Sequence, residues 1–182
     1  MKMNRNLKLL FVGAALAFAL ALVPREAQSA STSANATITA SIGASCSISP
    51  VAAATIAYDP VVANATAPAA GQFNISYTCT IGSTPTITLD EGANKLTGTS
   101  TPAAPVRRMA NGTSLMNYNI FSSTSNRTTG TAAVAWGTGN LPTLVSPTGA
   151  AQTVTAFVGI PAGQTTLTNG TNTDTVSMTI TF

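Results

Sequence analysis

The sequence contains no histidine, only five carboxylates and eight basic residues, one tryptophan and two cysteines. Without histidine there is no imidazole to activate a serine or cysteine nucleophile, and none to ligate a metal. The carboxylates offer one adjacent pair, Asp90-Glu91, ahead of Gly92. A turn at a strand end accounts for that pair better than a general acid and base. No CxxC spacing is present, which argues against a cysteine metal or redox site. Arg107-Arg108 has no aromatic stripe beside it and reads as a solvated loop or a local ion pair. The expectation is a protein with no catalytic residue, no metal and no cofactor.

What is present begins with a targeting signal. Lys2, Arg5 and Lys8 precede an unbroken apolar run from Leu9 to Val23, followed by Pro24 and the small-residue patch Ala27-Gln28-Ser29-Ala30. The run is fifteen residues long, short of the roughly 20 that span a bilayer. It reads as a secretory signal peptide over residues 1–30, cleaved near 29/30. Removing it leaves Lys95, Arg107, Arg108 and Arg127 against Asp59, Asp90, Glu91 and Asp174, with no net charge. The basic character of the whole chain therefore belongs to the signal, and no nucleic-acid partner is expected. Nor is membrane insertion of the mature chain expected.

Helical periodicity is absent after the signal. Instead, apolar and polar residues alternate in short runs broken by Gly, Pro and Asn, the pattern of half-buried strands. Phe73, Ile75, Tyr77 and Cys79 share one face of residues 72–80, and Ala36, Ile38, Ala40 and Ile42 one face of 36–42. Residues 115–121, 152–160 and 173–182 alternate likewise, with 55–58, 86–89 and 133–136 as weaker candidates. Seven to nine short strands over about 150 residues describe an all-β sandwich. Cys46 and Cys79, an even pair in an exported chain, are expected to form one disulfide on the inner side. Two long connections, 91–114 and 122–151, exceed ordinary loop lengths and hold either edge strands or function.

Several segments together resemble the spore coat protein U domain family. They are the Ile160-Pro161-Ala162-Gly163-Gln164 turn with the alternating end that follows, Arg107-x-Met109 with its downstream strand, the WGTG of 136–139, and Tyr58-Asp59-Pro60 between the two cysteines. The tyrosine usual in the family's Gly-x-Tyr-x-Asp segment is Asn172 here. Many such proteins are subunits of archaic, Csu-type chaperone–usher pili. The resemblance implies an incomplete immunoglobulin-like β-sandwich, completed by a donor strand from a neighbouring subunit. It implies as partners other copies or related pilins, a periplasmic chaperone and an outer-membrane usher. On this reading the chain passes through the periplasm to the cell surface.

Within that frame residues 31–43 are expected to be the donor extension, through Ala36, Ile38, Ala40 and Ile42, and residues 44–182 the sandwich domain. Val176, Met178, Ile180 and Phe182 are expected to line the acceptor groove and the chaperone contact, with the terminal carboxylate as an anchor for a cationic chaperone residue. The expected function is that of a structural pilus subunit serving adhesion or biofilm formation. The alternatives are a self-contained surface or coat protein that does not polymerise, and a glycan-binding adhesin using loops near Trp136 or Arg107.

Overall fold

The computed structural model describes residues 30–49, 51–125 and 134–182. Two compact units divide the chain, Met1–Ala40 and Ser41–Phe182. The expected signal peptide lies outside the described residues, apart from Ala30 at its end. Residues 30–40 form no strand, and every one is exposed.

The second unit carries seven strands: β1 (Cys46–Ile48), β2 (Ala69–Cys79), β3 (Thr86–Leu89), β4 (Arg107–Asn111), β5 (Ser114–Phe121), β6 (Gln152–Ile160) and β7 (Met178–Thr181). They form a five-stranded sheet in the order β1-β2-β6-β5-β4 and a two-stranded sheet β3-β7, with every pair antiparallel. The alternation read in the sequence orients the strands as expected. Ile75, Tyr77 and Cys79 of β2 are buried while Asn74, on the other face of the same strand, is exposed. Each fully buried Ile or Leu stabilises by roughly 1.5–3 kcal/mol, and Ile87, Leu89, Ile120, Val158 and Ile160 from both sheets join one core.

The constant-type immunoglobulin sandwich orders its strands A-B-E-D in one sheet and C-F-G in the other. Here β1, β2, β6 and β5 stand as A, B, E and D, while β3 and β7 stand as C and F. β4 is an addition at the outer edge of the larger sheet. The immunoglobulin-like, all-β expectation therefore holds in both strand order and connectivity.

Of the two alternatives for the long connection 91–114, the edge strand is the one found: it contains β4, which pairs with β5 through a tight turn at Gly112-Thr113. Gly112 has φ 59° and Thr113 does not have a positive φ, the pattern of a type II′ turn, which places Gly first. Arg107 is not a solvated loop residue but a β4 residue with no exposed surface. Residues 55–58 and 134–136 form no strand. Trp136 is nevertheless fully buried, as a lone core tryptophan should be, and links the two sheets. Its indole Nε1 donates to Ile87 O at 2.9 Å and its backbone N to Ile120 O at 2.7 Å. Gly137 follows because a Cβ there would stand 2.2 Å from Pro102 O.

Candidate functional site

The candidate site is an edge of the smaller sheet. β7 pairs with β3 in the register Thr86↔Thr181 to Leu89↔Met178, and no strand pairs with its other side among the described residues. That side is where strand G of a complete sandwich would lie. β1 of the larger sheet approaches β7, so the opening lies between those two strands.

The side chains there alternate as predicted. Val176, Met178 and Ile180 are half-buried and pack against the core, while Thr175, Ser177, Thr179 and Thr181 are exposed. Phe182 is 51% exposed, at the margin of the row rather than within it. The result is an apolar row covered on one side only, beside a line of free backbone groups. Such an edge is a template for another strand.

Ala36, Ile38, Ala40 and Ile42 are all exposed and form no strand, with Ile38 at 94% and Ile42 at 87%. An alternating apolar segment has its lowest free energy in a half-buried strand. Here its isoleucines stand in water, so the strand expected over 36–42 is not formed within the isolated chain.

Just before β7 the chain is anchored. The Asp174 carboxylate accepts from the Tyr118 hydroxyl at 2.7 Å and from Asn94 N and Nδ2, both at 3.2 Å. Burial first, and then the Asp174 carboxylate, push the Tyr118 hydroxyl far above its ordinary range. Gly92, with φ 76°, leaves room for this carboxylate, since a Cβ there would meet Asp174 Oδ2 at 2.2 Å. Thr173 bridges to Ala110 of β4. β7 is thus held at its start and along one edge, and open along the other.

Arg107 supports the same corner from beneath. Its Nε donates to Asp90 O at 2.9 Å, and its Nη2 to Trp136 O at 2.7 Å and also to Asp90 O. Burial lowers its pKa. Asp90 Oδ1 accepts from Gly92 N and from Ser177 N of the C-terminal segment, so Asp90-Glu91 is the turn expected, with a tie to the open-edged segment added. Lys95 pairs with Glu91 at 2.8 Å.

Cys46 and Cys79 are bonded, directly opposite each other in the β1–β2 register. At the far end of β2 the Tyr58 hydroxyl donates to Pro161 O at 2.8 Å and accepts from Gln164 N at 3.1 Å. The Tyr58-Asp59-Pro60 and Ile160 to Gln164 motifs are therefore two halves of one contact. The exposed Val61, Val62 and Ile81 were passed over in the sequence reading; apolar residues beside Pro60 and Gly82 were the available signal. Among the described residues no group of His, Cys, Asp or Glu could hold a metal.

A model of the Spore Coat Protein U domain matches residues 27–179. Protein U of Myxococcus xanthus is 35% identical over 182 residues, covering 94% of this chain and 96% of that protein. A chain in the crystal structure of the CsuC-CsuE chaperone-tip adhesion subunit pre-assembly complex, from archaic chaperone-usher Csu pili of Acinetobacter baumannii, superposes with a TM-score of 0.54 at 18% identity. The superposition covers 78% of this chain and 40% of that one, and at this identity the likeness is one of fold.

Proposed function

The chain belongs to the Spore Coat Protein U domain family, and we propose that it is a structural subunit of a surface pilus, assembled by the chaperone–usher route through donor-strand exchange. The observation that carries this is the open edge of β7, the place of a seventh sandwich strand that the described residues do not fill. The fold shared with a chain of a chaperone–pilus subunit complex supports it.

In this reading residues 31–43 of one copy run along β7 of another. Ile38 and Ile42 pass from water into the row formed by Val176, Met178 and Ile180. Their burial contributes roughly 3–6 kcal/mol, and each main-chain hydrogen bond to the edge about 0.5–1.5 kcal/mol net. Residues 44–182 form the acceptor domain. A periplasmic chaperone occupies the edge beforehand, beside the exposed Phe182, and an outer-membrane usher passes subunits to the surface. The family match begins at residue 27, beyond the apolar run, which agrees with residues 1–30 being a signal peptide. The subunit serves adhesion or biofilm formation and performs no catalysis.

The test is an SDS gel of the oxidised mature protein, with and without boiling. A ladder of multimers that collapses only on heating is expected. A single monomer band in both lanes, from protein that folds cooperatively without a chaperone, would instead support a self-contained coat protein whose extension closes its own edge.

A further inference from the structure

Two exposed apolar points stand at opposite ends of the larger sheet. Val61 and Val62, 78% and 77% exposed, sit on a turn fixed from within. Asp59 Oδ1 accepts from both of their N–H groups, and Asp59 N donates to Asn64 Oδ1. Gly163 N donates to Asn64 O, which places this turn at the Ala69–Ile160 end of the β2–β6 pair. The valines are therefore displayed by a built turn, not left on a slack loop.

Ile81, 73% exposed, stands at the other end. It lines a shallow depression with Ile42, Ala44, Gly82 and Gly149, and with the hydroxyl residues Thr80 and Ser83. No charged residue occurs in 36–58, 80–89 or 141–163, so this end offers an uncharged seat with Ile81 exposed on it.

We propose, resting on the strand-exchange reading above, that the end around Ile81 of one copy, vacated by Ile42 as that residue enters the neighbour's groove, seats on the Val61-Val62 turn of the copy it completes. The direction follows from the topology. β3 starts just after Ile81, and Thr86 pairs with Thr181, so β7 runs toward the Ile81 end. Strand G of an immunoglobulin sandwich runs antiparallel to strand F. A donor strand in that place enters at the acceptor's Ile81 end and leaves at its Val61-Val62 end. The donor copy's own domain must then begin at once. Its Cys46 is fixed to β2 by the disulfide, and four residue steps from Ile42 reach at most about 14 Å. The donor's Ile81 end is thereby held against the acceptor's valine turn.

The contact is too small to hold two free copies together, since stable interfaces bury about 1,200–2,000 Å². A short tether raises the effective concentration to the millimolar range, so it closes only within the fibre. There it fixes the angle between successive subunits.

The experiment places photoreactive p-benzoylphenylalanine at Val62 of the full chain, irradiates the boil-sensitive multimers and maps the cross-linked peptides by mass spectrometry. Cross-links from position 62 to residues 80–85 or 42–44 are expected. They must join two copies, because β2 alone separates the ends by about 33 Å at ~3.3 Å per residue. Multimers that form normally but cross-link elsewhere, or not at all, overturn this contact and leave strand exchange standing. Wild-type protein that gives no boil-sensitive multimers overturns both.

Discussion

Arg107 is the residue whose role departs furthest from its sequence appearance. Next to Arg108, in a segment with no clear alternation, it reads as a surface cation. The fold instead buries it completely and surrounds it with carbonyls of Leu89, Asp90 and Trp136. Arg108 on the other face of the same strand donates to Asn94 O and Lys95 O. Burial of a guanidinium is costly unless its donors are used; here backbone carbonyls take Nε and Nη2, while buried Nη1 has no hydrogen-bond partner among the described residues. Removing it strands those carbonyls and leaves a void, so Arg107→Ala should cost more than about 3 kcal/mol. Tyr118→Phe removes one hydrogen bond to Asp174, a carboxylate that keeps its Asn94 partners, and should cost about 1–2 kcal/mol. Urea unfolding of the oxidised protein measures both; equal losses would contradict the assignment of Arg107 as the central support.

The strands were legible where one face is buried and one is wet. β2, β5 and β6 declare themselves through alternation, and the half-buried row of Val176, Met178 and Ile180 was visible for the same reason. β4 was hidden because its residues, Arg107 to Asn111, show no apolar–polar alternation, and four of the five are intermediate in exposure. Asn111-Gly112 ahead of an alternating run was a hairpin signal strong enough to have revealed it. The segment 36–42 illustrates the opposite case: its pattern is that of a strand, but its hydrogen-bond partner is not supplied within the described chain. That separation gives a clean mutational prediction. Ile38→Asp with Ile42→Asp changes two residues already in water, so the monomer's urea midpoint should stay within about 0.5 kcal/mol of wild type. The boil-sensitive ladder should disappear. A normal ladder from the double variant would remove these residues from the donor role.

At the scale of the whole molecule, the lack of histidine also governs the response to pH. No histidine exists to titrate between about pH 5 and 7, so stability should be level there. Asp59, held below its ordinary range chiefly by the N–H groups of Val61 and then Val62, and Glu91, held down chiefly by Lys95, have folded pKa values lower than unfolded ones. Their contribution is present above the ordinary carboxylate range and is lost as the pH falls through the depressed values. A series of urea midpoints should therefore be level from pH 7 to 5 and decline in acid; a step near pH 6 would contradict it. The disulfide has a mechanical meaning as well. A pull on the segment ahead of Cys46 meets the domain at a strand of only three residues, which its hydrogen bonds alone would let peel away. The covalent link to Cys79 diverts that tension into β2, eleven residues long and flanked by strands on both sides. The load is then carried by the interior of the sheet in shear, and β1 serves as a hinge plate rather than as the point of failure.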